Sequence, residues 1–273
     1  MTQQEVATAI EWAAAEGWNP GLHDAACFYA ADPNGFLVGL LEDEPVATIS
    51  VVKYGASFGF LGLYIVKPAH RGQGYGLQLW NAGLAHLGQR TIGLDGVVAQ
   101  QTNYRHSGFE LAYRNIRYRG TGVVHVPKDL RIVPLSSVPF DEVNAYDRLS
   151  FPADRSVFLK GWIRQPQSKA IGILHGGKLS GYGVIRAARI GYKIGPLFAD
   201  DPDLAEALFN ALAAWVPDNA AIYLDTPETN PAAVMLAERH GMTVVFETAR
   251  MYAGCAPDLP MRRVFGVTTF ELG

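Results

Sequence analysis

The chain has 273 residues and a formal net charge of −3. With 49% hydrophobic and 18% charged residues its composition is globular, and its length suits one large domain or two ordinary ones. The slightly acidic balance gives no polyanion-binding signal, which argues against nucleic acid as the main partner. Cys27 and Cys255 form no metal-ligand pattern, so no metal site is expected.

The start of the chain, MTQQEVATAIEWAAAEGWNPG, is acidic and amphipathic. It lacks the basic region and the apolar stretch that together define a signal peptide. No apolar run reaches the roughly 18 residues that a membrane span needs. The sequence therefore predicts a cytoplasmic protein without membrane attachment, and it leaves the oligomeric state open.

Hydrophobic spacing divides the first half of the chain into helices and strands. Val6, Ala9, Ile10 and Ala13 recur at helical spacing, and Gly17 ends that helix. Apolar runs separated by glycine and acidic turns indicate strands. In chain order the pattern predicts a helix over 2–16, a hairpin formed by 35–41 and 45–52, a strand over 58–66, a helix over 76–88, a strand over 91–99, a short helical stretch and a strand over 109–119.

The second half of the chain repeats this order. A Leu-Asp pair ends the matching strands at Asp95 and Asp225, and an Arg-His pair stands just before both Gly108 and Gly241. Such landmarks at a constant order indicate a degenerate duplication of one α+β unit. The repeated elements are a hairpin over 170–174 and 179–185, a strand over 192–198, a helix over 204–215, a strand over 221–225 and a strand after Gly241.

A polar, irregular stretch over 120–139 separates the two copies. We place the boundary near Pro127, which gives one domain over 1–126 and a second over 127–273. The fold class that follows is α+β, with two tandem units that each carry a mixed sheet flanked by helices.

Residues 70–76, HRGQGYG, follow an apolar strand and open a helix, as a phosphate-binding loop does. A nucleoside triphosphate loop would end in Gly-Lys-Ser/Thr, but Leu77 and Gln78 follow Gly76. A dinucleotide fingerprint has the spacing Gly-x-Gly-x-x-Gly after a first strand, whereas these glycines alternate and follow a helix and a hairpin. Both of these phosphate sites are therefore disfavoured.

The run from Arg71 to Gly76 resembles the Arg-x-x-Gly-x-Gly/Ala loop of the GNAT acetyltransferase superfamily. Tyr104 to Phe109 resembles its Tyr-x-x-x-Gly-Phe pattern, and the order of elements agrees over residues 1–119. The resemblance implies twisted, mostly antiparallel sheets and one acetyl-CoA site, whose pyrophosphate is held by loop amides and whose pantetheine pairs with the preceding strand. The cofactor-binding residues implied are Leu63, Tyr64, Ile65, Val66, Arg71, Gly72, Gln73, Gly74, Tyr75 and Gly76.

The resemblance extends to bacterial proteins with an N-terminal GNAT domain and a second GNAT-like domain, through the segments 16–21, 107–118 and 246–252. The second copy departs from the pattern at the loop, where it carries Ala-Asp-Asp-Pro-Asp over 199–203. Acidic residues there would repel a pyrophosphate, and the glycines are gone. We expect the second domain to lack a coenzyme A site.

The resemblance assigns Tyr104 as the general acid near the coenzyme A sulfur, and a backbone N–H near Ile65 or Val66 as the donor to the thioester carbonyl. The alternative for Tyr104 is an aromatic that packs on its own helix. His70 is better explained as a loop-flanking or phosphate-facing residue, and His106 as a surface or structural one, so the sequence names no general base.

Candidate acceptor residues lie after the first helix and in the second domain. Trp18, Asn19 and Asp24 occupy a loop where this superfamily commonly builds its acceptor site, although the same residues suit an ordinary capped turn. Phe151 and Asp225 are candidates from the second domain, which could complete the acceptor pocket or only stabilise the first.

The function expected from these observations is N-acetylation of a small primary amine by acetyl-CoA, by direct attack in a ternary complex. A non-catalytic acyl-CoA sensor is the alternative from another class. Acetylation of a protein amine is the third reading, which an open acidic groove would favour and a pocket closed by the second domain would oppose.

Overall fold

The computed structural model describes residues 1–122 and 129–273. The predicted boundary near Pro127 lies outside the described residues. The elements of the first unit are α1 (Gln3–Ala15), α2 (Asp24–Ala31), β1 (Phe36–Leu41), β2 (Glu44–Tyr54), β3 (Phe58–Val66), α3 (Tyr75–Leu87), β4 (Thr91–Val97), α4 (Gln101–His106) and β5 (Glu110–Thr121).

The second unit repeats this order behind an additional edge strand. Its elements are β6 (Ile132–Pro134), α5 (Phe140–Asp147), α6 (Ser156–Trp162), β7 (Ser168–His175), β8 (Lys178–Ala187), β9 (Tyr192–Ala199), α7 (Pro202–Ala213), β10 (Ala221–Pro227), α8 (Pro231–Arg239), β11 (Thr243–Ala253) and β12 (Val264–Gly266). The short helices α2, α5 and α6 were not predicted, because none of them is long enough to show a clear helical period.

The strands of both units form one sheet in the order β1-β2-β3-β4-β11-β5-β10-β9-β8-β7-β6, with β12 paired to β9. Most neighbours are antiparallel, while β3–β4 and β9–β10 are parallel pairs. Each parallel pair is connected through a helix, α3 in the first unit and α7 in the second. The fold is therefore the mixed, mostly antiparallel sheet with flanking helices that the sequence predicts.

The two units exchange β5 and β11 at the centre of the sheet. Strand β11 of the second unit lies between β4 and β5 of the first, and β5 in turn pairs with β10 of the second unit. The sequence predicts two units that each carry a separate sheet, and it does not predict this exchange. Its physical basis is that a strand can complete any sheet edge of matching register.

The parallel pairs open into wedges at their carboxyl ends. β3 and β4 pair only from Phe58–Leu61 with Thr91–Leu94 and then separate. β9 and β10 pair over three residues, and β12 then pairs with β9 at Leu197 and Phe198 while Val267 N–H donates to the Asp225 carbonyl of β10 at 2.8 Å. The wedge of the second unit is thus filled by the chain itself.

Candidate active site

The strand β3 carries a bulge beside the first wedge. The pairing with β2 shifts register between Thr48 and Ser50, and Leu63 takes a φ of 45° at that point. The hydroxyl of Thr48 donates to the Leu63 carbonyl oxygen at 3.0 Å, which holds the bulge in place. β3 continues to Val66 although its pairing with β4 ends at Leu61, so it presents a backbone edge to the wedge that β4 does not cover.

The glycine loop after β3 leaves its backbone open to a ligand. Gly72 and Gly74 have φ values of 74° and 85°, a region that side chains disfavour, and a Cβ built on either meets nothing within 4 Å. Gly74 is the N-cap of α3, and no side chain caps this helix. The amides of the first turn therefore have no intrahelical acceptor and carry the positive end of the helix dipole.

Two contacts fix the loop to its surroundings. The Arg71 Nε donates to the Val66 carbonyl oxygen at 2.9 Å, and its guanidinium forms an ion pair with Glu16 at the end of α1. A Cβ on Gly76 would come 2.5 Å from the Tyr64 hydroxyl, so only glycine lets α3 approach β3 this closely. The alternating glycines thus serve both an open backbone and close helix–strand packing.

A cavity of about 990 Å³ occupies the first wedge and reaches the glycine loop. Most of the predicted cofactor-binding residues line it: Leu63, Tyr64, Ile65, Val66, Arg71, Gly72, Gly74 and Gly76. Two others do not. The Gln73 side chain turns back to donate to the Ala69 carbonyl, and the Tyr75 ring packs edge-on against His70.

Tyr104 of α4 also lines this cavity, and only 9% of its surface is exposed. Its ring stacks on Trp80 with centroids 5.6 Å apart. Burial, reinforced by Tyr64, raises the pKa of Tyr104 to about 12, against a hydrogen bond to the Val97 backbone that lowers it. The phenol is therefore protonated throughout the neutral range and can act as a donor in the cavity.

The second unit supplies one wall of the cavity. Trp18 lines the cavity from the first unit, whereas Phe246 and Thr248 of β11 and Phe270 and Glu271 after β12 reach it from the second. These four residues are not predicted from the sequence, because their position depends on the strand exchange. In the structure, residues 264–273 are continuously buried without belonging to a helix.

Two carboxylates proposed for the acceptor site are held in buried ion pairs away from the cavity lining. The Asp24 carboxylate accepts hydrogen bonds from Arg186 Nε and from the Gly21 N–H, both at 2.8 Å. The Asp225 carboxylate accepts hydrogen bonds from Arg117 Nε and Nη2 at 2.7 and 2.8 Å. Burial raises the pKa of Asp225, but Arg117 outweighs it and holds that pKa below its ordinary value.

Asn19 and Phe151, also proposed for the acceptor, have structural partners across the boundary between the two units. The Asn19 side chain bonds the backbone of Ile190 through both its oxygen, at 2.8 Å, and its nitrogen, at 3.0 Å. The Phe151 ring packs edge-on against Tyr54 at 4.9 Å and under the guanidinium of Arg155 at 4.1 Å. Of the predicted acceptor residues, only Trp18 lines the cavity.

Both halves of the chain match known profiles. The profile of the acetyltransferase (GNAT) family matches residues 4–109, and that of an acetyltransferase (GNAT) domain matches residues 143–266. A holothin acyltransferase from Pseudoalteromonas sp. (strain SANK 73390) is 32% identical over 263 residues, covering 96% of this chain and 90% of the relative. The chain belongs to the GNAT acetyltransferase family.

Its enzymatic class is that of the GNAT acyltransferases. Solved structures agree with the tandem GNAT fold. A presumptive acetyltransferase from Pyrococcus horikoshii superposes with a TM-score of 0.85 at 22% identity, covering 100% of this chain and 94% of that one. A tandem GNAT protein from the clavulanic acid biosynthesis pathway gives a TM-score of 0.64 at 16% identity, covering 94% and 98%.

GNAT enzymes use an acyl-CoA, and the residues of the first unit fit one. The uncapped start of α3 and the open backbone at Gly72 and Gly74 suit a pyrophosphate, while the edge of β3 beyond Leu61 suits a chain that pairs with backbone. The second unit offers neither feature, since Asp201 caps α7 and β12 fills the wedge. Within residues 1–122 and 129–273, every helix is too short or too polar to cross a bilayer.

Proposed function

We propose that this GNAT enzyme transfers an acetyl group from acetyl-CoA to the primary amine of a small molecule, by direct attack in a ternary complex. The observation that carries the proposal is the single cavity that joins the glycine loop, the free edge of β3, Tyr104 and four residues of the second unit. Bound acetyl-CoA supplies an acyl group activated as a thioester. All other roles belong to residues of this chain.

The loop amides from Arg71 to Gly76 would hold the pyrophosphate, and the exposed backbone of Leu63 to Val66 would orient the pantetheine arm. A backbone N–H near Ile65 or Val66 would donate to the thioester carbonyl oxygen and stabilise the charge that develops there. Tyr104 would donate the proton of its hydroxyl to the leaving sulfur, a role that its protonated state supports.

The second unit supports a small acceptor over a protein. Phe246 and Phe270 close one side of the cavity with aromatic rings, and Trp18 lines it from the first unit. Rings in these positions suit a compact, partly apolar amine better than an extended peptide, which needs an open groove. The similarity to a protein named holothin acyltransferase also supports a small-molecule acceptor.

The test is acetyl-CoA-dependent release of free thiol, followed with a panel of small primary amines that includes holothin, and with peptides that carry a free N-terminus or lysine. Mass spectrometry of the product identifies the acylated group. Thiol release with a small amine, and none with peptides, is the expected result.

Two outcomes would contradict the proposal. Saturable acetyl-CoA binding without turnover on any amine would identify a binding module. Faster turnover on peptides than on every small amine would identify a protein acetyltransferase. Repeating the panel with longer acyl-CoA donors tests the acyl group separately from the acceptor.

A further inference from the structure

Three acidic residues line the cavity, and arginine side chains pair with the carboxylates of two of them. Glu16 at the mouth forms an ion pair with Arg71. The Asp95 carboxylate accepts hydrogen bonds from Arg250 Nε and Nη2 at 2.9 and 2.6 Å. Glu271 is different, because the only side chain that hydrogen-bonds its carboxylate among the described residues is the hydroxyl of Thr269.

Glu271 is held rigidly at the point where the first wedge opens. Its backbone lies against Gly62, beside the bulge at Leu63, so closely that a Cβ on Gly62 would be 2.2 Å from its carbonyl oxygen. The Tyr54 hydroxyl donates to the next carbonyl, that of Leu272, at 3.1 Å. A side chain on so fixed a backbone has the preorganisation that a reacting group requires.

Two cations lie near Glu271, but both are closer to the carboxylate of Asp225 than to that of Glu271. Asp225, at the end of β10, is the direct partner of Arg117 on β5, and Lys193 on β9 lies 3.9 Å from the same carboxylate. Glu271 acts on both cations from farther away and favours their charged forms. A buried carboxylate with cations nearby but none bound to it is available to a cationic ligand.

We propose that Glu271 binds the ammonium group of the acceptor and accepts its proton, so that a residue of the second unit completes the active site of the first. The step is R–NH3⁺ plus Glu–COO⁻ giving R–NH2 plus Glu–COOH. It frees the nitrogen lone pair for attack, and the proton then passes from Glu271 to water. The inference rests on the proposed function and adds to it a general base, a role for which the sequence names no residue.

A binding experiment tests the charge recognition without turnover. Benzylamine, charged at neutral pH, and benzyl alcohol, its neutral counterpart, are titrated by calorimetry into the protein saturated with coenzyme A. The wild type should bind the ammonium about tenfold or more tightly than the alcohol, and Glu271→Gln should lose that preference. Equal preference in both proteins, or no ammonium binding by the wild type, overturns the proposal.

A kinetic experiment tests the proton transfer with the best acceptor of the amine panel. Glu271→Gln should lower kcat by about 100-fold or more at neutral pH, and part of the loss should return as pH rises and the acceptor deprotonates in solution. Its affinity for acetyl-CoA should stay at the wild-type value. A kcat within threefold of the wild type, or a loss that is the same at every pH, overturns the proposal.

The matched control is Glu238→Gln, an exposed glutamate on α8 that should change neither readout. Should Glu271→Gln not fold, Thr269→Val removes the hydroxyl partner and leaves the carboxylate, and it should retain the ammonium preference. A wild type that binds acetyl-CoA but acylates no amine refutes the proposed function itself, whereas an active wild type matched by Glu271→Gln refutes only the role of Glu271.

Discussion

Gly62 of β3 packs directly on the backbone of Glu271, so that a Cβ at position 62 would lie 2.2 Å from the Glu271 carbonyl oxygen. This contact joins the strand that would bind the acyl-CoA arm to a segment of the second unit. Because backbone stands on both sides, no side chain can move aside to make room. The two units are therefore in direct backbone contact at this glycine beside the cavity.

Gly62→Ala should displace the Glu271 segment and lower kcat by about tenfold or more, together with the melting temperature. Gly39→Ala on β1 is the control, since a Cβ there meets only Ala47 at an ordinary 3.5 Å. Steady-state kinetics and thermal unfolding measure both effects. Wild-type kcat in Gly62→Ala would argue against the placement of this segment at the active site.

Tyr104→Phe should lower kcat by about 100-fold while the dissociation constant of acetyl-CoA changes little, because the ring packing on Trp80 remains and only the donor is lost. With the pKa of Tyr104 raised to about 12, no loss of activity from its ionisation should occur below about pH 11. Tyr29→Phe, on α2 and outside the cavity lining, is the control. Unchanged turnover in Tyr104→Phe would remove this residue from the reaction.

Gly74→Ala should weaken acetyl-CoA binding by about tenfold, since its φ of 85° disfavours a side chain and the loop amides would shift. Gly241→Ala imposes similar backbone strain, at a φ of 64° and with nothing within 4 Å of the new Cβ, but at the end of α8. Calorimetry should find the binding loss in the first variant alone. Equal acetyl-CoA affinity in the two variants would contradict the assignment of the loop.

Lys193 is buried without a hydrogen-bonded partner for its amine among the described residues. Burial, helped by Arg117, lowers the pKa of Lys193 to about 8, against the ordinary 10.5 of the unfolded chain. The unfolded state thus binds more protons between about pH 8 and 10.5, and stability contributed by this group should rise with pH across that range. Below about pH 8 the full cost of burying the ammonium is present.

Lys193→Met should therefore raise the free energy of unfolding at pH 7 by about 1–3 kcal/mol, and it should flatten the rise between pH 7.5 and about 9.5. Denaturant unfolding at pH 7 measures the gain in stability, and the same measurement at pH 7.5 and about 9.5 measures the change with pH. The Lys169→Met variant, half-buried on β7, serves as the control. A variant that is less stable than the wild type at pH 7 would show that the attraction to Asp225 outweighs burial.

The glycine loop and the strands around it could be predicted because their signals are local. The strand over 58–66 and the helix after Gly74 follow from spacing within a few residues. The cavity wall that the second unit supplies could not be predicted, since the contact of Glu271 with Gly62 depends on the exchange of β5 and β11. Local sequence likewise gives no sign that Asp24 pairs with Arg186, 162 residues away.

The exchange of β5 and β11 limits how the duplicated gene can diverge. The second unit carries the cap Asp201 where the first unit has its open loop, and β12 fills its wedge, so its part in catalysis is the wall that it gives to the cavity of the first unit. The sheet needs the second unit as well, because deleting it would remove β11 from between β4 and β5 and expose the edges of both strands beside the cavity. We therefore expect a chain truncated to the first unit to lose the fold that supports the cavity.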